Sequence, residues 1–132
     1  APALPATQLA EDCYYSMFYN CSKLTTAPAL PATDLAEYCY GYMFYNCTTL
    51  TAPCELPATD IVEYCYWGMF ENCTGITWTT DTTATAYMIP EGGGGTVPTG
   101  VTDWSSGMFL GNSGPLPGGT GTPDINTDYY YQ

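Results

Sequence analysis

The chain has 132 residues, 45% of them hydrophobic, so it can bury a core and lacks the composition of a disordered segment. One basic residue, Lys23, stands against 13 acidic ones, a net charge of −12 that excludes phosphate-backbone binding and disfavours anionic membrane surfaces. There is no histidine, which removes the commonest general base and zinc ligand, and no apolar run of 18 residues to span a membrane.

The first element is a phrase met three times. "LPAT" at Leu4, Leu30 and Leu56 opens with a proline-stiffened turn. Asp34 or Asp60 follows at a helix N-cap position, with Glu37 or Glu63 three residues on, as in a capping box; Gln8 and Glu11 are the weaker version. Leu9, Cys13, Met17 and Cys21 are spaced by four, as are Leu35, Cys39, Met43 and Cys47, and this predicts one stripe of a short helix. Gly41 and Gly68 interrupt that stretch at about 1 kcal/mol each against Ala, so the helix is expected to be irregular. Asn20, Asn46 and Asn72 close it, since Asn tolerates the left-handed backbone needed to leave a helix. "CTTLTAPCEL" then reads as a short, proline-limited strand.

The step between equivalent residues is 26 throughout residues 1–77. It makes ladders of Cys13, Cys39 and Cys65; of Cys21, Cys47 and Cys73; of Met17, Met43 and Met69; of Phe18, Phe44 and Phe70; and of Leu24, Leu50 and Ile76. A fixed period of this size predicts a repeat solenoid whose units bury apolar faces against their neighbours, and the ladders are its expected core.

"MFYNCSKL", "MFYNCTTL" and "MFENCTGI" resemble the F-x-x-C-x-x-L core of BspA-like leucine-rich repeats, over about residues 1–77. The 26-residue unit is longer than that family's usual one, and Asn replaces the small residue before the second Cys. The resemblance implies a leucine-rich-repeat fold with short strands and short or irregular helices. It further implies extracellular or cell-surface display, adhesion by protein or glycan contact, and no catalytic residues.

From Trp78 the composition changes. Residues 78–132 read as a Gly/Pro-rich C-terminal cap or assembly arm, with "EGGGG" and "SGPLPGGTGTP" as turn-formers. "WSSGMFLGNSG" echoes "YWGMFENCTG", which marks a decayed repeat near 104–114; the closing "DYYYQ" is suited to docking or strand addition.

Four patterns bear on function. Three-membered Cys rows cannot pair completely, which favours thiols packed in the core over the disulfides usual in secreted domains. Cys54 stands outside the rows and is the expected exposed or intermolecular thiol. Asn20, Asn46 and Asn72 each satisfy N-x-[ST], the glycosylation acceptor pattern, although a helix-leaving corner explains them without a sugar. Tyr14, Tyr15, Tyr38, Tyr40, Tyr42, Tyr64, Tyr66 and Trp67 are too many for one buried stripe, and form either a recognition face or packing between units. The repeated acids suit capping and solubility better than catalysis or calcium, and no cofactor, metal site or catalytic pair is read.

The expectation is therefore a non-enzymatic extracellular module that contacts protein or glycan through a repeated aromatic and acidic face. The alternative is a structural subunit of an extracellular fibre or appendage, or a phage fibre segment, binding copies of itself through its ends and tail. The chain shows no signal-peptide pattern and begins within a repeated phrase, as a mature or truncated chain would.

Overall fold

A computed structural model describes residues 2–132. The leucine-rich-repeat solenoid is not what it shows. Among the described residues there is no α-helix, and the strands lie outside residues 2–77: β1 (Trp78–Thr79), β2 (Thr85–Tyr87) and β3 (Tyr129–Tyr131). They form an open antiparallel sheet in the order β1-β3-β2, with Trp78 opposite Tyr131 and Tyr87 opposite Tyr129. One 3₁₀ turn, Pro117–Gly119, completes the regular structure of a small, mostly non-helical domain.

The expected helices fail for a backbone reason. An α-helix needs an unbroken run of negative φ. Here one residue in four is left-handed: Asp12, Ser16 and Asn20 at φ 56°, 54° and 60°, then Tyr38, Tyr42 and Asn46 at 57°, 50° and 60°. Tyr64, Gly68 and Asn72 continue the pattern. The chain therefore runs as a series of tight turns. Alternate amides bond three residues back, as in Tyr15 N–H to the Asp12 carbonyl (3.1 Å) and Tyr19 N–H to the Ser16 carbonyl (3.1 Å). The intervening amides reach out of the segment: Tyr14, Ser16, Phe18 and Asn20 donate to the carbonyls of Cys39, Gly41, Met43 and Tyr45 at 2.8–3.0 Å. Tyr40, Tyr42, Phe44 and Asn46 donate likewise to Cys65, Trp67, Met69 and Glu71, and Tyr66, Gly68, Phe70 and Asn72 to Trp104, Ser106, Met108 and Leu110. A left-handed tyrosine is costly, by about 1–3 kcal/mol, and these bonds over-determine it.

Without helices there are no caps. Asp34 instead accepts the Gln8 side-chain amide at 3.1 Å, and Glu63 accepts the Thr102 hydroxyl at 3.1 Å. The Thr-rich strand is absent as well: Thr49 spends its hydroxyl on the Ser22 and Leu24 carbonyls (2.9 and 3.0 Å).

Side chains 26 residues apart stack. Phe18, Phe44, Phe70 and Phe109 form a column with ring centroids 5.5, 5.2 and 5.4 Å apart. Cys39, Cys65, Cys47, Cys73, Met43, Met69, Leu50, Ile76 and Met108 are fully buried. The first phrase departs from the expected core, because nothing among the described residues packs on its outer side. Cys13 is exposed, Met17 is 47% exposed, and Phe18, Cys21 and Leu24 are only partly buried.

The C-terminal part packs against the other end. Phe109 N–H donates to the Gly121 carbonyl at 2.7 Å, Gly107 N–H to the Thr122 hydroxyl, and the Ser105 hydroxyl to the Pro123 carbonyl. Trp78 lies edge-on to Phe109 and donates from Nε1 to the buried Asn112 side chain at 3.0 Å. "DYYYQ" is not a free arm: it supplies β3, the central strand of its own sheet.

Candidate functional site

The turn geometry sorts the tyrosines into two sets. Tyr14, Tyr40 and Tyr66 form one column at 5.9 and 6.0 Å, with planes 13° apart. Tyr40 and Tyr66 are 1% and 0% exposed, so they belong to the core and not to a recognition face. The Tyr40 hydroxyl is buried without a hydrogen-bond partner, and burial holds the Tyr40 and Tyr66 phenols well above their ordinary pKa.

The second set makes a continuous aromatic surface. Tyr38 stacks on Tyr64 at 4.6 Å and 2°, and Tyr19 on Tyr45 at 4.7 Å and 9°. Trp67 meets Tyr38, Tyr42 and Tyr64 at 5.8, 4.8 and 5.7 Å. Tyr15 stands edge-on to Tyr38 and Tyr42. The members left off the sequence reading, Tyr19 and Tyr45, share a 26-residue step like every other pair, and that step was the signal for them.

Two glycines seat this surface. A side chain at Gly68 (φ +57°) would overlap the Tyr42 ring, and one at Gly41 would come within 2.9 Å of the Tyr15 ring. Each ring thus occupies the space left by a missing Cβ 26 residues on.

A cleft of about 350 Å³ opens in the surface, lined by Tyr15, Ser16, Tyr19, Tyr42, Tyr45 and Glu71. Tyr15 and Tyr45 cross Tyr42 at 82° and 83°, with centroids 6.0 and 5.5 Å away, so three ring planes bound the space. Partial burial raises the Glu71 carboxyl above its usual pKa, and burial followed by the Glu71 charge raises the Tyr42 phenol. Asn72 Nδ2 donates to the Tyr45 hydroxyl at 3.2 Å, which holds that wall in place. A larger cleft, about 510 Å³, runs along the proline-rich segments between Pro28–Pro31 and Pro53–Pro57. At its rim the Glu91 carboxyl is raised by its hydrogen bond with Glu55.

The remaining predicted residues are placed as follows. All seven cysteines are free thiols. Cys47 and Cys73 donate from Sγ to the Phe18 and Phe44 carbonyls at 3.0 Å, and burial pushes their thiols up to about 11 and about 12. Cys54 is partly buried, not an exposed thiol, and burial pushes it up to about 12; its carbonyl accepts the Tyr87 hydroxyl at 2.9 Å. The three sequon asparagines share φ 60°; Asn46 Nδ2 donates to Asn20 Oδ1 at 2.8 Å, and Asn20 is exposed. Among the described residues no three His, Cys, Asp or Glu side chains are grouped to hold a metal ion, and no helix is long and apolar enough to cross a membrane.

No family model, curated protein or solved structure matches the chain.

Proposed function

We propose that this chain is a non-enzymatic recognition module that contacts protein or glycan through its aromatic and acidic surface. The observation that carries the reading is the continuous sheet of rings from Tyr15 and Tyr38 through Tyr42, Tyr64 and Trp67, opening into a cleft with Glu71. Aromatic rings give large contact area at low entropy cost, and such clusters concentrate binding energy. An extracellular or cell-surface setting is part of the proposal, supported by the likeness of "MFYNCTTL" to BspA-like surface repeats. The test is glycan and protein arrays probed with the wild-type chain and with Tyr38→Leu and Trp67→Leu variants. Hits lost in both variants support the reading; arrays silent for the wild type, or hits unchanged in the variants, overturn it.

A structural role is the second reading, favoured by one observation. Among the described residues, the carbonyls of Cys13, Tyr15, Met17 and Tyr19 accept no backbone hydrogen bond, whereas their equivalents at 39, 41, 43 and 45 all do. Such an edge, beside exposed Met17, invites association. Sedimentation velocity across a concentration series distinguishes the two readings. Concentration-dependent growth abolished by Met17→Glu supports assembly, and a monomer at every concentration removes it.

A further inference from the structure

We propose that the cleft between Tyr15, Tyr19, Tyr42, Tyr45 and Glu71 binds a methylated ammonium ion. The inference rests on the aromatic-surface reading and names the ligand chemistry of that surface. Three features of the cleft converge on it. The first is the lining: four phenol rings, with Tyr15 and Tyr45 crossing Tyr42 near a right angle, so that ring faces and edges close three sides. A cation is attracted to the negative face of an aromatic ring, and the attraction grows where water is displaced. The second is the single carboxylate. Glu71 Oε2 lies 3.1 Å from the point above Gly68 that a Cβ would occupy, and the Tyr42 ring fills the same space, so charge and ring meet at one wall. The chain has one basic residue against 13 acidic ones, so Glu71 has almost no internal counter-charge available.

The third feature decides between classes of cation. A primary ammonium is strongly hydrated and demands acceptors in three directions. Besides Glu71, this cleft offers only the Ser16 and tyrosine hydroxyls, and the Tyr45 hydroxyl is already engaged by Asn72. A quaternary ammonium spreads its charge over methyl groups and needs contact with ring faces instead of hydrogen bonds. Recognition by rings plus one carboxylate suits that ion better than a lysine-like amine or a metal ion.

The test uses the whole chain in calorimetric titration at fixed ionic strength. Choline is the probe, and 3,3-dimethylbutanol is its neutral isostere, equal in shape and lacking the charge. We expect one saturable choline site and at least about tenfold weaker binding of the isostere. Tyr15→Leu and Glu71→Gln should each weaken choline by about fivefold or more. Tyr15 is 40% exposed, so its loss leaves the core intact; circular dichroism verifies the fold of both variants. Tyr64→Leu, on the same surface but outside the cleft, should leave choline binding unchanged. A trimethyllysine peptide titrated in parallel tells a polypeptide source of the ion from a small molecule. Equal binding of choline and its isostere, no saturable choline binding, or indifference to both cleft variants overturns the proposal. Array hits that depend on Tyr38 and Trp67 would then leave the broader reading standing, and silence in both experiments would remove both.

Discussion

The ring of Tyr42 rests on the backbone of Gly68, 26 residues further along the chain, and fills the place a side chain at 68 would need. Tyr15 stands in the same relation to Gly41. The two seats differ in one respect: Gly68 is left-handed, at φ +57°, and no positive φ is found at Gly41.

That difference predicts unequal mutants. Gly68→Ala must displace the buried side of Tyr42 and strain the backbone, at a cost of about 1–3 kcal/mol. Gly41→Ala meets only the edge of an exposed ring that can swing away, and should cost less than about 1 kcal/mol. Urea midpoints of the two variants check the order; an equal or reversed order would show that the seats are not what limits these positions.

The phenylalanine column should carry stability that the first phrase does not. Phe44 is fully buried between Phe18 and Phe70, so Phe44→Ala should cost about 3–5 kcal/mol. Met17 is half exposed, and Met17→Ala should stay within about 0.5 kcal/mol. Denaturant unfolding of both variants makes the comparison.

The thiols give a pH dependence with a definite sign. Burial raises Cys39 from an ordinary 9.0 to about 12, and Cys73 likewise to about 12. A raised folded pKa means the unfolded chain loses its proton first, so the stabilisation is complete below about pH 9 and is lost as pH rises toward 12. The urea midpoint should therefore fall on alkaline titration, and fall less steeply in Cys39→Ala. At neutral pH, alkylation should label exposed Cys13 quickly and Cys39 and Cys65 only on unfolding. Mass mapping of the labelled peptides tests this directly.

Strands β1 and β2 each pair only with β3. Removing residues 128–132 should thus undo the whole sheet, uncovering Trp78, which now packs against Tyr129 and Tyr131. The expected result is a red shift in tryptophan emission and a lower melting temperature. An unchanged spectrum would mean that Phe109 and Asn112 hold Trp78 without help from the sheet.

Much of the packing was legible in the sequence, because a 26-residue step brings like beside like: Phe18 to Phe44, Tyr38 to Tyr64, Asn20 to Asn46. The local conformation was not. Cys39, Met43 and Cys47 recur every four residues, and on a helix that spacing marks one face. Here it marks one turn in a chain that reverses handedness at Tyr38, Tyr42 and Asn46, and nothing in a tyrosine advertises a positive φ. The glycines misled for a related reason. Gly41 and Gly68 read as helix weakeners, but their work is to leave room for rings from a neighbouring segment. The strands were missed because β1 and β3 are brought together only by the packing of Trp78 and the closing tyrosines.

The alternating amides have an electrical consequence. The peptide group joining Cys13 to Tyr14 points its N–H at the Cys39 carbonyl, whose own peptide group points its N–H at Cys65 and so on to Trp104. Parallel rows start at Tyr15, Met17 and Tyr19. Each row is a line of peptide dipoles laid head to tail, as along a helix axis but running across the chain instead of with it. The oxygen ends all emerge beside Met17, and the amide ends meet Gly121 and Thr122. The molecule therefore has a polar axis built from its backbone alone, negative at the edge of the first phrase and neutralised at the other.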